Sequence, residues 1–354
     1  MKFYPLKVAD IRRETIDCVS VAIHIPAELE EQFRFSAGQY LTFRVNLQGQ
    51  EIRRSYSICS GPLEQEWRVA IKKVPGGVFS TFANEQLKVG DTIEVMPPMG
   101  RFGQQIEGQD SQAYLAFAAG SGITPILSIV KTVLANQPQS HFILFYGNQN
   151  QHSILFRSEL EALKNRHMGR LSIYHVLSRE MVDTSLFHGR IDVEKCHAFL
   201  QKLIPVERID QCFICGPEDM IHTVKQSLIE AAFDPQKIHF ELFGVKTKPL
   251  KPTLVNEIKG PLSKVKIHLD GSIFEIPVAY DGESVLDVAL RSGADLPFAC
   301  KGGVCCTCRA KVLSGDVKMQ VNYALEADEV AAGYVLTCQS HPRSAQVTLD
   351  FDAK

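Results

Sequence analysis

Long hydrophobic runs are missing from this chain. No stretch approaches the ~18 consecutive apolar residues that a membrane-spanning helix needs, so no transmembrane segment is expected. The opening residues, Met1-Lys2-Phe3-Tyr4-Pro5, lead straight into charged sequence without the apolar core of a secretory signal, and the expected location is the cytoplasm. An excess of one charge is missing too. Lys and Arg number 38 against 40 Asp and Glu, a net charge of −2 with no block of one sign, which argues against nucleic acid or an anionic membrane as the main partner. Internal repeats and low-complexity tracts are also lacking. What remains is an ordinary globular composition, 45% hydrophobic and 22% charged. Its 354 residues suggest two or three domains at roughly 100–200 residues each.

The rhythm of the chain changes twice. Up to residue 106, short alternating runs such as 18–24, 40–45 and 67–72 are separated by Gly, Pro and Asn turns, the pattern of an antiparallel sandwich or barrel. From 111 to 243, apolar strands at 113–118, 141–146, 171–176, 211–215 and 237–241 alternate with helical patterns at 123–134, 153–164, 193–203 and 220–232. This predicts βαβ units around a parallel sheet. Residues 244–262 turn polar, basic and proline-containing and read as a linker. A small third unit, 263–354, offers strands at 264–269 and 273–278, a helix at 284–291, a cysteine-rich loop and a closing strand at 345–351.

Cysteine is plentiful, with ten residues, four of them between 300 and 308. A reducing compartment disfavours disulfides, so the clustering predicts a metal site. Cys300, Cys305 and Cys308 form C-x4-C-x2-C, and Cys338 follows downstream, the spacing of a plant-type [2Fe–2S] cluster. Gly302 and Gly303 suit a tight loop whose N–H groups approach the sulfurs. Cys306 is an extra thiol. A zinc module built from Cys212-x2-Cys215 and Cys305-x2-Cys308 is the other reading, but 89 residues separate those pairs, more than such modules use.

Two strand-to-helix turns carry glycine. Gly120-Ser121-Gly122-Ile123-Thr124-Pro125 follows one strand, with proline in the first helical turn, and Cys215-Gly216-Pro217 follows another. Glycine admits a dinucleotide pyrophosphate to the backbone, the helix N-terminus favours its charge, and ligands of open α/β sheets bind beyond the carboxyl ends of strands. Ser178 and Arg179 end a third strand, where a hydroxyl and a guanidinium suit an adenosine 2′-phosphate. In the β-rich part, Arg54, Tyr56 and Ser57 supply a cation, a ring and a hydroxyl on alternating positions expected to point partly to one face, and Gly76-Gly77-Val78-Phe79-Ser80 reads as a turn.

These segments carry a resemblance. Arg54-Ser55-Tyr56-Ser57 resembles the R-x-Y-S motif of the ferredoxin–NADP reductase superfamily, Gly77 to Ser80 resembles its G-x-x-S loop, and the turns at Gly120 and Cys215 are similar to its nicotinamide-site turns. The fused ferredoxin unit, with 299–305, 322–326 and 331–336, narrows the likeness to oxygenase reductases, in particular the reductase subunits of phenylacetyl-CoA epoxidases. The resemblance covers essentially the whole chain. It implies an FAD-binding β-barrel at 1–106, an NAD(P)-binding α/β domain at 111–243 and a β-grasp ferredoxin domain at 263–354. It implies that Arg54, Gly76, Gly77 and Ser80 hold the FAD pyrophosphate, that Tyr56 packs on the isoalloxazine ring, and that Ser57 approaches flavin N5. Thr124 and Cys215 would lie near the nicotinamide, with Ser57 and Cys215 closest to the chemistry, and Phe243 would close the flavin pocket. The implied activity is an NADPH-dependent reductase, NADH being the other candidate donor, that supplies a di-iron oxygenase through FAD and the cluster. Another oxygenase, a hybrid-cluster protein, or service as a plain iron–sulfur carrier are the other readings.

Overall fold

Alternation at period two builds the first lobe, and apolar strands separated by helices build the second. The computed structural model describes residues 2–106, 108, 110–243 and 261–353, which divide into one unit running to Phe243 and another from residue 261 onward. The linker expected at 244–262 lies, up to residue 260, outside the described residues.

In the first lobe, β1 (Tyr4–Thr15), β2 (Cys18–His24), β3 (Tyr40–Leu47), β4 (Gln50–Ser57), β5 (Trp67–Lys72) and β6 (Thr92–Met99) pair antiparallel in the order β4-β3-β6-β1-β2-β5. A bridge between Ile58 and Val69 joins the two edges and closes the sheet into a barrel. Two short helices, α1 (Glu30–Phe33) and α2 (Val78–Glu85), accompany it. Strand β2 is buried on both faces up to its last residue: Val19, Val21 and Ile23 fill the barrel, while Cys18 joins a core shared with the second lobe. Helix α2 stands where the sequence reads only as a turn. Its Phe79 and Ala83, one turn apart, are both buried, and eight residues carry too short a period to announce a helix.

The second lobe runs β7 (Ala113–Ala119), α3 (Ile123–Asn136), β8 (His141–Asn148), α4 (Arg157–Arg166), β9 (Leu171–Leu177), α5 (Val193–Lys202), β10 (Gln211–Gly216), α6 (Glu218–Glu230) and β11 (Ile238–Leu242). Its five strands are parallel in the order β11-β10-β7-β8-β9. The order reverses between β7 and β10, which makes their carboxyl ends the topological switch point of the sheet. The Ser128 hydroxyl of α3 donates to the Ser60 carbonyl at 2.7 Å, and the Phe102 ring meets Phe213 edge-on at 5.6 Å, so the two lobes share buried contacts.

The C-terminal unit contains β12 (Leu262–Leu269), β13 (Ser272–Ala279), α7 (Val285–Arg291), β14 (Arg309–Ser314), β15 (Val317–Met319), α8 (Ala327–Ala331), β16 (Tyr334–Leu336), β17 (Ser340–Pro342) and β18 (Gln346–Asp350). A mixed sheet orders β13-β12-β18-β14-β16, with β12 and β18 parallel, and β15 pairs with β17. Ser284 caps α7 by accepting from the Asp287 N–H at 3.2 Å. The three-residue strands were not legible in the sequence, because so short a run shows no alternation and its partner lies far along the chain.

Phe145 anchors the second lobe. It is fully buried and stacks on Phe117, Tyr174 and Phe199 at 5.1, 4.9 and 4.4 Å. Phe145→Ala should lower unfolding stability by about 3–5 kcal/mol, read by chemical denaturation. A loss below ~1 kcal/mol would show that the ring stack contributes little.

Candidate nucleotide sites and cluster loop

The switch point is built on close backbone approach. Gly120 has φ +53, and a Cβ on Gly122 would stand 2.1 Å from the Cys215 carbonyl oxygen. A Cβ on Gly216 would stand 2.7 Å from the Met220 methyl and 3.1 Å from Ala119 Cβ. The turns after β7 and β10 therefore fit against each other only as glycine. Thr124, buried, donates its hydroxyl to the Ser121 carbonyl at 3.0 Å, and Pro125 is buried in the first turn of α3. Cys215 is fully buried beside this turn, and burial pushes its thiol well above the ordinary range, so it stays protonated.

Outside the turns lies a cleft of about 850 Å³, lined by Gly120, Gly122, Gly216 and Pro217, by Ser178 and Arg179 from the end of β9, and by Phe243. Thr124, Pro125 and Cys215 sit behind it rather than on its wall. The sequence reading missed two cations here, Lys72 from the barrel and Arg190. The Gly189 N–H donates to the Leu177 carbonyl at 2.9 Å, laying residues 188–190 along the end of β9 and bringing Arg190 to the cleft that Arg179 lines. Acids stand nearby as well: Asp192, which accepts from the Lys195 N–H, and Asp219 line the same cleft, and Glu180 accepts from the Gln151 N–H. Among the described residues, neither guanidinium makes an ion pair. No local motif announces Arg190, since the bridge that places it is a tertiary contact.

The barrel supplies the second site. Arg54 is exposed and donates to the Arg53 carbonyl at 2.7 Å. Tyr56 lies against Phe43 and Phe79, ring centroids 6.1 and 5.5 Å away, and burial pushes its phenol up. Ser57 is buried on the opposite face of β4. Gly76 has φ +73, and a Cβ on Gly77 would come 2.6 Å from Ser80 Oγ. The Ser80 hydroxyl accepts from the Val74 N–H and donates to the Gly77 carbonyl, closing the turn on itself. The first-turn N–H groups of α2 have no side-chain cap, which suits a phosphate.

Ser57 also reveals a partner that the sequence reading did not single out. Its hydroxyl donates to Glu241 Oε2 at 3.2 Å, linking β4 of the barrel to β11, where Glu241 is the register neighbour of Cys215. Burial raises the Glu241 carboxyl to about 8, above the lowering effect of the Ser57 hydrogen bond, so it holds a proton at neutral pH. The available signal was an acidic residue near the end of a mostly apolar parallel strand that also carries His239.

In the C-terminal unit the four expected cysteines converge. Cys300 and Cys305 sulfurs are 3.1 Å apart, and the Cys338 thiol lies within hydrogen-bonding reach of Cys300 and Cys308. Cys305, Cys308 and Cys338 are buried and Cys300 half-buried. The Gly302 N–H donates to Cys300 Sγ at 3.3 Å. The thiols of Cys305 and Cys338 hold Cys300 well below the ordinary thiol range. Four soft sulfurs gathered at one point fit an iron–sulfur cluster. Cys306 instead donates to the Ala324 carbonyl at 3.3 Å. Cys212 and Cys215, three apart in β10, face opposite sides of the sheet and cannot chelate one zinc ion.

Comparison with known proteins agrees with this division. The models for an oxidoreductase FAD-binding domain, an oxidoreductase NAD-binding domain and a 2Fe-2S iron-sulfur cluster binding domain match residues 5–103, 117–226 and 267–343. The chain is 45% identical to one of the subunits of the 1,2-phenylacetyl-CoA epoxidase of Escherichia coli K12, covering 99% of this chain and 98% of that protein. It is 30% identical to the ferredoxin reductase component of 3-ketosteroid-9-alpha-monooxygenase from Rhodococcus rhodochrous, covering 98% and 96%. Phthalate dioxygenase reductase shares the fold, with a TM-score of 0.60 at 24% identity over 99% of this chain and 98% of that one. With glycine turns at the switch point, a barrel site beside them and four converging cysteines, the chain belongs to the family of oxidoreductases that carry FAD-binding, NAD-binding and 2Fe-2S domains as reductases of oxygenases.

Proposed function

We propose that this chain is a cytoplasmic, NADPH-dependent reductase that supplies electrons to a di-iron oxygenase of the phenylacetyl-CoA epoxidase type. The partner reading is supported by 45% identity over nearly the whole chain to a component of that epoxidase, against 30% to the steroid monooxygenase reductase. No helix among the described residues is long and apolar enough to cross a membrane. The observation that carries the reading is the junction of Ser57, Glu241 and Cys215, where the barrel site meets the switch point of the parallel sheet.

The residues fit the groups that the family binds. Arg54, Gly76, Gly77 and Ser80, with the uncapped start of α2, would hold the FAD pyrophosphate, Tyr56 would pack on its ring, and Phe243 would cover it. Gly120, Gly122, Gly216 and Pro217 leave backbone open to a dinucleotide, with Thr124 and Cys215 backing the nicotinamide. Ser178, Arg179 and Arg190 offer a hydroxyl and two guanidinium forks to a 2′-phosphate. Cys300, Cys305, Cys308 and Cys338 would hold the cluster. When bound, the flavin supplies the conversion between hydride transfer and single-electron transfer. The chain's own side chains do the rest. Cys215 presents an uncharged thiol, Ser57 offers a hydroxyl, and Glu241 keeps a proton beside it, so no negative charge stands at the point where electrons arrive.

Mixing the anaerobic protein with NADPH and then with the oxygenase tests the whole reading. Flavin and iron–sulfur absorbance should bleach with NADPH and return when oxygenase and air are supplied; a protein that NADPH does not bleach would refute it. Arg179→Ala and Arg190→Ala should each raise KM for NADPH about 10-fold or more and leave NADH kinetics within about twofold. Equal losses with both donors would assign the two arginines to something other than the 2′-phosphate.

Glu241 imposes a pH dependence. Flavin reduction should slow as pH rises through about 8, where the carboxyl ionises, and Glu241→Gln should flatten that limb. Between the ordinary glutamate value near ~4.3 and about 8, the folded chain keeps a proton that the unfolded chain has released. Stability should therefore fall as pH rises through that window, and the glutamine variant should lose that slope in thermal melts.

A further inference from the structure

The 300–308 loop cannot by itself place the fourth cysteine. Cys338 follows Cys308 after 29 intervening residues, yet its sulfur must meet those of the loop. Two side chains flanking it tie the segments together. Thr337, fully buried, donates its hydroxyl to the Cys308 carbonyl at 2.9 Å, and its backbone N–H reaches the same oxygen at 3.1 Å. On the other side, the Gln339 amide donates to the Lys301 carbonyl at 3.0 Å, and the same nitrogen lies 3.7 Å from Cys338 Sγ.

The surroundings are shaped to this side chain. Lys301 presents its carbonyl from a left-handed backbone, φ +51, while its ammonium is held on Asp287 at 2.8 Å. Gly303 has φ +74, and a Cβ there would press on Gln339 Cγ at 3.1 Å. The Gln339 carbonyl accepts from the Gln320 N–H at 2.8 Å, which fixes the backbone from which the amide reaches out. An uncharged N–H directed at a ligand sulfur stabilises the more electron-rich state of an iron–sulfur centre.

We propose that Gln339 is a positioning residue for electron transfer: its amide ties the Lys301 peptide to the Cys338 sulfur, holds the remote ligand in place and raises the reduction potential of the cluster. The proposal rests on the reading of the four cysteines as cluster ligands, which the iron content and visible spectrum of the unmodified protein test separately.

The experiment uses the full-length holoprotein with Gln339→Leu, which keeps bulk and removes the donor, and Thr337→Val, which removes a hydroxyl bonded to a peptide oxygen. Iron per chain is measured first, then the cluster midpoint potential by mediated titration followed by electron paramagnetic resonance. Gln339→Leu should keep its iron and show a more negative midpoint, its one-electron equilibrium displaced about fivefold, the size of one hydrogen bond. The flavin midpoint should not move. Thr337→Val should shed iron faster with its midpoint unchanged. An iron-replete Gln339→Leu with an unshifted midpoint, or a shift no larger than that of Thr337→Val, would overturn the proposal. If Gln339→Leu retains no iron, the unmodified chain decides. Grown with glutamine labelled with nitrogen-15 in the side chain, its reduced form should show a nitrogen coupling in pulsed resonance, and absence of that coupling would equally overturn it.

Discussion

The first unit depends on one steric constraint, the contact of the Gly122 turn with the Cys215 carbonyl. A Cβ at position 122 would stand 2.1 Å from that oxygen, so the chain closes there only without a side chain. The contact joins the ends of β7 and β10, the two strands at which the sheet order reverses. It leaves backbone exposed toward the cleft and seals Cys215 behind it. The same close packing keeps the Cys215 thiol dry and uncharged.

From that point the barrel and the parallel sheet act as one unit. Ser57 comes from β4 and Glu241 from β11, and the hydrogen bond between them crosses from lobe to lobe. Burial keeps Glu241 protonated at neutral pH, so a group that elsewhere would repel electrons sits neutral next to a hydroxyl. Arg179 and Arg190 are exposed on the cleft and form no ion pair among the described residues, although Asp192 and Asp219 line the same cleft. Burial thus separates the two groups: Ser57, Glu241 and Cys215 lie away from solvent behind the cleft, while Arg179 and Arg190 stand exposed on it.

The ferredoxin unit solves a different problem. Three of its cysteines share one short loop, and the fourth arrives on a segment folded back after 29 intervening residues. Peptide hydrogen bonds from Thr337 and the amide of Gln339 close that distance. Cys308 and Cys338 pack into one hydrophobic core with Val265 and Ile267 of β12 and Val347 and Leu349 of β18, which pair in parallel.

Much of this protein was written locally. The C-x4-C-x2-C spacing, the glycine turns and the alternation of strand and helix each depend on residues close in sequence, where backbone geometry and side-chain period act directly. They were enough to mark a β-rich lobe, a parallel α/β lobe and a cysteine loop. What lies outside that reach depends on contacts between distant segments. Helix α2 exists because Phe79 and Ala83 find a core. Arg190 reaches the cleft because a bridge at Leu177 and His188 lays its segment beside β9. Glu241 matters because Ser57, 184 residues earlier, meets it in a buried place. Gln339 matters because Lys301 and Gly303 leave it a seat. The sequence by itself determined which chemistries this chain carries, since ligand type and spacing are local properties. Only the tertiary structure decided which side chains stand next to them, because burial and long-range proximity are set by the packing of the whole unit.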